Sequence, residues 1–406
     1  MECRTEKKRT FADVITSEEY TLLLTGEVQR AIAAARDRDP IEVAKDRRVP
    51  HARLVATQVK YLARAAQKLP SYAAAQCILP PLAFEQASSE ACAAHKRIGG
   101  DTVLDLTCGL GVDAFFLSRR FGRVVTLEHN DVLARVAAEN FSRLGATNIE
   151  VVSTSAEEYL RRSDLHFDWI YADPDRRSAE GRKLVRPEDC SPDIIALKPL
   201  LDRVSGRLCI KNSPLFDIGE ALRLFPDSRV EVVSLDGECK EVLVYADGTG
   251  PLVTATALGH GSFSARPGDT VPEPETFDPA RCRWLVVPDV ALQKARLVRL
   301  HLAGKAAVWS ENGYGFAAEE PQGPELETQQ QRDFEPLRTQ RDAAGAGAFG
   351  ADRVIDECEI KLRLQVQAAG EVEPQDEARL IARLGGTGPE SVFSDFHAGK
   401  RCGWWW

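Results

Sequence analysis

The stretch VLDLTCGLGVDAFFLS, residues 103–118, sets two acids and two glycines close together. Gly109-Leu-Gly111-Val-Asp113-Ala114 fits the pattern G-x-G-x-x-A, a turn between a strand and a helix that lets a nucleotide approach the backbone. Glycine suits such a turn because it tolerates positive φ and carries no Cβ. About twenty residues on, Glu128 ends the run TLEHN, where an acid can accept hydrogen bonds from ribose hydroxyls. A nicotinamide enzyme and an S-adenosylmethionine enzyme both use a turn here and an acid there. Two features separate them. Asp105 precedes the glycines as D-x-x-x-G-x-G, and its charge would repel a pyrophosphate and attract the ammonium of a methionine moiety. The later run YADPDRR, residues 171–177, puts a charged cluster at another strand end, where ligands of open α/β sheets sit. Taken singly, Asp105 could be a turn-capping carboxylate and Asp173 an N-cap. Found together with the glycines and Glu128, they favour S-adenosylmethionine.

The cofactor contacts expected from this pattern are Asp105, Thr107, Gly109, Gly111, Asp113, Glu128, His129, Ser155, Ala156 and Asp173. Ser155 and Ala156 follow the third strand, where the adenine edge is read. Ser155 equally suits a helix N-cap with acids in the first turn. His129 lies beside Glu128, near the ribose. Methyl transfer from a sulfonium is an in-line displacement, so the protein mainly positions the acceptor. Asp173 and the Pro174 carbonyl are suited to accept hydrogen bonds from an acceptor nitrogen, and Asp173, Pro174 and Asp175 form the expected catalytic group. Trp169, Tyr171 and Asp173 share one strand face. The run departs from D-P-P-Y: Asp173-Pro174-Asp175-Arg176-Arg177 has no aromatic to stack on a base at the usual place. Arg176 can stack or grip a phosphate, and Arg176, Arg177 and Lys211 are the expected substrate contacts. Arg182, Lys183 and Arg186 extend this basic group, with Asp175, Glu180, Glu188 and Asp189 opposing it.

These residues need a scaffold that brings strand ends together. Residues 11–97 show apolar recurrence at helical spacing with scattered prolines, and no strand. From Asp101 the period changes. VLDL, RVVTLEHN, NIEVVST, FDWIYAD and GRLCIKNSP read as strands with helices between them, which predicts a parallel sheet wound on both faces. RVEVVSLDGECKEVLVYAD reads as a hairpin around Asp236-Gly237 that closes the far edge antiparallel. The expected class is therefore α/β: a doubly wound, Rossmann-like, seven-stranded sheet with a helical N-terminal region and small α+β C-terminal domains. Residues 251–282, with many Gly, Pro and Thr, read as a connection. A second globular portion begins near Arg283, and EEPQGPELETQQQRDF reads as exposed loop.

Bulk properties exclude several classes. The 406 residues carry a formal net charge of −9 and 44% hydrophobic residues, which suits a globular chain that does not coat nucleic acid indiscriminately. A local basic patch can still bind it. Ten scattered cysteines with no CxxC pair argue against zinc or a disulfide framework, so no metal is expected. The charged N-terminus lacks a signal-peptide core, and no run is long enough to span a bilayer, so a cytoplasmic protein is expected. The tail GKRCGWWW either packs on the last domain or forms an interaction patch.

LDLTCGLGVDAFFLS, TLEHN, EQASSEACAAHKR, and YADPDRR with CSPDIIAL together resemble bacterial class I S-adenosylmethionine-dependent methyltransferases with a C-terminal THUMP-like domain. The match is strong from about Phe84 to Tyr245. PDVALQKARLVRLHLA resembles the family's ferredoxin-like module, and CEIKLRLQVQAAG with ARLIARLGG resembles its THUMP-like end. The resemblance implies a helical region over 1–97, a methyltransferase domain over 98–250, a connection over 251–282, a ferredoxin-like module over 283–337 and a THUMP-like domain over 338–406. It implies a base methyltransferase acting on RNA. Methylation of DNA, protein or a small molecule, and a non-catalytic RNA-binding module with a vestigial pocket, are the competing readings.

Overall fold

The computed structural model describes residues 15–175, 190–273, 284–308, 313–319 and 327–330. Seven helices come first: α1 (Ser17–Leu24), α2 (Gly26–Ala34), α3 (Pro40–Lys45), α4 (Ala52–Lys68), α5 (Pro70–Ala74), α6 (Pro81–Gln86) and α7 (Glu90–His95). Prolines open α3, α5 and α6, where the missing N–H costs nothing and the ring pre-sets φ. Thr16, Thr25, Asp39 and Ser89 cap α1, α2, α3 and α7 with side-chain oxygens. The amphipathic α4 buries Val55, Ala56, Val59 and Ala65.

The sheet follows, with strand and helix alternating as far as β6: β1 (Gly100–Asp105), α8 (Val112–Leu117), β2 (Phe121–Glu128), α9 (Asp131–Arg143), β3 (Ile149–Ser153), α10 (Ala156–Arg162), β4 (Trp169–Ala172), α11 (Ile194–Val204), β5 (Leu208–Asn212), α12 (Ile218–Leu224), β6 (Arg229–Leu235) and then β7 (Glu238–Ala246). Two more strands, β8 (Leu252–Ala257) and β9 (Gly261–Ala265), extend it to nine, in the order β3-β2-β1-β4-β5-β7-β6-β8-β9. Strands β1 to β5 pair parallel to one another, and β7 inserts antiparallel between β5 and β6. The fold is thus the doubly wound, Rossmann-like α/β class, with a wider sheet than seven strands.

The expected far edge needs correcting. Strand β6 carries β8 on its other side in parallel register, and β8 carries β9, so the hairpin of β6 and β7 lies inside the sheet. The threonines of LVTATA, which composition grouped with loop residues, are β-branched and suit a strand. Beyond the sheet, β10 (Trp284–Pro288), α13 (Val290–Lys294), α14 (Val298–Leu302), β11 (Ala307–Val308), β12 (Gly315–Ala317) and β13 (Glu327–Gln330) build a second sheet of order β11-β12-β10-β13. Strand β13 falls in the run expected to be loop. It is held by backbone pairing with β10, which asks nothing of side-chain polarity. The segment expected to be THUMP-like, with the Trp run, lies outside the described residues. Among the described residues, no helix is long and apolar enough to cross a membrane.

Two cores cover the two sheet faces. One joins α1–α9 to Val103, Trp169, Tyr171, Cys209, Leu243 and Tyr245. The other joins α10–α14 to Leu104, Ile170, Ile210, Val232, Val244 and their neighbours. The alternation of odd and even residues between the cores follows from the period of two in a strand.

The first core contains charge. Lys96, 1% exposed, directs Nζ at both Glu241 oxygens at 3.0 Å and lies 3.1 Å from Asp113. Next to it, Glu231 accepts from Tyr245 and Thr256 and faces His95 at 2.8 Å. The segment 95–97 therefore fastens the N-terminal helices to β6 and β7 through buried counter-charges. Breaking a buried pair leaves an uncompensated charge, which costs about 3–5 kcal/mol. Lys96→Met is accordingly expected to lower the unfolding free energy in urea by about that amount. Adding Glu241→Gln is expected to recover part of the loss. An unchanged midpoint in the single variant would show that the pair contributes no net stability.

Candidate active site

Register places Asp105, the last residue of β1, opposite Thr126 on β2 and Tyr171 on β4. Its carboxylate has no solvent exposure. Thr126 Oγ1 donates to Oδ2 at 2.6 Å, and the Thr107 amide and hydroxyl reach Oδ1 at 3.0 and 3.3 Å. Asp105 is thus an interior residue that shapes the turn after β1. Both of its oxygens point at threonines. Thr107 connects it to the Asp173 backbone at the exit of β4.

Thr107 is the joint between two halves of the crevice. Its hydroxyl accepts the Asp173 amide hydrogen at 2.7 Å, so the exits of β1 and β4 are tied. The glycines follow. Gly111 has φ +88° and caps α8, and a Cβ there would lie 2.5 Å from the Phe141 ring on α9. Its smallness is needed for helix packing and for backbone conformation. Gly109 has φ +55°, and a Cβ there would meet nothing within 4 Å. Its backbone borders open space. Glu128, at the end of β2, reaches across the turn. Oε2 accepts from the Gly109 amide and Oε1 from the Asn130 amide, both at 2.9 Å. A carboxylate has about four acceptor positions, so two amides fix its orientation and leave capacity for hydroxyls. His129 is largely exposed, with Nδ1 3.3 Å from Glu128.

The other expected contacts spread around this centre. Asp113 turns toward the N-terminal helices, where Ser88 donates to it at 2.8 Å and Lys96 lies beside it. Lys96 holds its carboxyl below the ordinary range against the opposing effect of burial. Ser155 caps α10 by accepting from the Glu158 amide, and Ala156 is buried. Both readings of Ser155 remain compatible, since a cap also fixes the loop after β3.

At the exits of β4 and β5, Lys211 donates to Asp173 Oδ2. Burial lowers the Lys211 pKa, but the charges of Asp173 and Asp113 outweigh it and the net direction is up. Asp173 Oδ1 has no hydrogen-bond partner among the described residues, and the Asp173 side chain is 28% exposed. Pro174 is buried and borders a small apolar hollow with Cys190, Ile194, Ile210, Asn212 and Phe216. Asp175 is exposed and forms a two-bond bridge with Ser191. Arg176 and Arg177 lie outside the described residues, as do Arg182, Lys183 and Arg186. Trp169 and Tyr171 do share the face of Asp173, yet both are buried in the first core. The Tyr171 hydroxyl has no hydrogen-bond partner among the described residues.

Several participants were missed in the sequence. Thr126 passes there for an ordinary strand residue. Lys96 and Glu241 are interior ions, and the one trace of Glu241 is an acid inside the apolar run KEVLVYA.

The chain compares with known proteins as follows. Residues 103–178 match the family described as "Methyltransferase domain". An uncharacterized S-adenosylmethionine-dependent methyltransferase of Mycobacterium tuberculosis is 30% identical over 246 residues, covering 58% of this chain and 65% of that protein. The ribosomal RNA small subunit methyltransferase J of Coxiella burnetii is 32% identical over 131 residues, covering 28% of this chain and 51% of that protein. The chain thus spans less than two thirds of either relative. A crystal structure from Porphyromonas gingivalis W83, described provisionally as a methyltransferase, superposes with a TM-score of 0.63 at 24% identity, covering 76% of this chain and 80% of that one. It shares the fold.

Burial of Asp105 has a measurable consequence. It raises the carboxyl from about 3.8 to about 7, against the donors Thr126 and Thr107 and with help from the charge of Asp113. A carboxyl whose pKa is higher when folded takes up a proton on folding. Stability therefore falls as pH rises from about 4 to about 7 and levels off above. Relative to Asp105→Asn, the native chain is expected to lose on the order of a few kcal/mol between pH 4 and pH 8, read by urea unfolding at both pH values. A pH-independent difference between the two proteins would refute the titration.

Proposed function

We propose that the protein is an S-adenosylmethionine-dependent methyltransferase that modifies a base nitrogen in RNA. The observation that carries this reading is the tie from Gly109 and Glu128 through Thr107 to Asp173, which sets a nucleoside-binding edge beside an acceptor-binding carboxylate. The matched methyltransferase segment, residues 103–178, spans that whole tie. The relatives' names support the donor, and the ribosomal RNA enzyme of Coxiella burnetii supports RNA as the acceptor class.

The residues present suit the donor. The open backbone at Gly109 accommodates close approach, and Glu128 keeps acceptor capacity for ribose hydroxyls. Ser155 and Ala156 stand at the exit of β3, on the adenine side. When bound, the cofactor supplies an activated methyl on a sulfonium. An acceptor nitrogen taking that methyl would give up a proton, and the Asp173 carboxylate would stand beside it. Asp173 Oδ1 accepts the N–H of the acceptor and directs the nitrogen lone pair at the methyl. Lys211 holds the other oxygen, so the carboxylate cannot rotate away. Pro174 fixes the chain at the strand exit. Arg176 and Arg177 are assigned to the substrate's phosphates or base plane. The domain boundaries, with ferredoxin-like and THUMP-like portions after residue 282 and a cytoplasmic location, belong to the same reading.

Asp173→Ala is expected to lower the single-turnover transfer of labelled methyl to cellular RNA by two or more orders of magnitude, the scale of lost positioning. Affinity for the demethylated cofactor is expected to fall far less than the transfer rate, since the other cofactor contacts remain. Transfer that survives at the native rate would remove Asp173 from the acceptor site. Label appearing in protein or DNA instead of RNA would reassign the substrate.

A further inference from the structure

Helix α4 carries a one-sided stripe of cations. Arg53, Lys60, Arg64 and Lys68 follow at steps of seven, four and four residues, within an arc of about 80°. The helix contains no acid. Residues 45–68 hold seven basic side chains and one acidic one in a chain of net charge −9. That acid, Asp46, is already held by Arg38 and Arg48. The apolar side of α4 faces the first core, and none of the large exposed hydrophobic residues lies on it. A membrane-inserting helix needs its apolar face free, so this one does not qualify.

The stripe is also braced. Lys60 lies 5.5 Å from the Tyr61 ring centroid, Arg64 lies 5.3 Å from those of Tyr61 and Phe84, and Lys68 lies 4.9 Å from that of Phe84. Such contacts reduce the entropy lost when a cation grips an anion. Glu85 offsets Arg64, while Arg53 and Lys60 have no ion pair among the described residues. The inner end leads to the crevice. Lys68 donates to the Phe84 carbonyl at 2.7 Å, α6 exits at Ser88, and Ser88 donates to Asp113, two residues past Gly111. Burial and the nearby charges of Lys211, Arg64 and Lys240 pull Lys68 down to about 8, with Glu85 opposing.

We propose that this face of α4 is the track along which the phosphate backbone of a single-stranded RNA segment is led to the crevice. Four-residue steps put the inner cations about 6 Å apart along the axis. A flexible single strand can follow that row, whereas a rigid duplex touches it only where its backbone crosses. A single strand also presents a base without unstacking it from a duplex. The inference rests on the proposed reading of the crevice for its direction, but its test does not.

The test uses the full chain and a labelled mixed-sequence single-stranded RNA of about twenty nucleotides, followed by fluorescence anisotropy across a salt series. Arg53→Ala combined with Lys60→Ala removes two exposed cations outside the crevice. It is expected to lower affinity about ten-fold and the slope of log K against log salt by about 1.4, at 0.7 per phosphate contact. Circular dichroism and affinity for the demethylated cofactor are expected to be unchanged. Unchanged RNA affinity and slope would overturn the proposal. So would equal loss on a duplex DNA of the same length, or a loss confined to phosphatidylserine vesicles. If the double variant loses RNA binding while no RNA accepts methyl from the native enzyme, the track stands and the reading of the crevice fails.

Discussion

A carboxylate buried between two strands constrains most of what surrounds it. Asp105 sits at the end of β1 with its oxygens taken by Thr126 of β2 and Thr107 of the turn. Leaving such a group unpaired in an interior is costly, so the turn must present its amide and hydroxyl inward. That orientation leaves the Thr107 hydroxyl placed to accept from Asp173 at the exit of β4. The next residues then swing out through Gly109, whose amide meets Glu128. One buried acid therefore sets both the Gly109–Glu128 side and the Asp173 side of the crevice.

A second charged layer supports the first from below. Lys96 joins Asp113 on α8 to Glu241 on β7, and Lys211 on β5 feels Asp173 and Asp113. The carboxylates and ammoniums alternate across one sheet face. Each is compensated by a neighbour on a different element, so the N-terminal helices, the glycine turn and the end of β5 are mutually placed. The N-terminal region is thereby part of the crevice's support. It also contributes the basic face of α4, whose inner end is tied to α8 through Ser88.

The local pattern carried much of this in the sequence. The alternation of apolar runs gave the parallel strands, and the glycine spacing gave the turn, because both depend on neighbours along the chain. Glu128 and Asp173 were legible for the same reason, as the acids that end apolar runs. What the sequence hid depends on pairing across the sheet. Thr126 becomes a partner of Asp105 only through register, and Lys96 becomes interior only when β7 supplies Glu241 and α8 supplies Asp113. The place of Asp105 at a strand end is visible in the sequence, while its rotamer and its threonine partners are not. Strands β8 and β9 were hidden by composition, since Thr and Gly serve strands and loops alike.

The central claim is that Gly109 and Glu128 form the binding edge for a methionine-linked nucleoside. Calorimetric titration of S-adenosylmethionine and its demethylated product into the purified chain, with a nicotinamide dinucleotide as control, tests it most directly. The account predicts one-to-one binding of the first two, no binding of the dinucleotide, and at least a ten-fold loss in Glu128→Ala, whose removed carboxylate gives up charge-assisted hydrogen bonds to the ribose hydroxyls. A folded chain that binds neither compound, with or without RNA present, or that binds the dinucleotide instead, would contradict it.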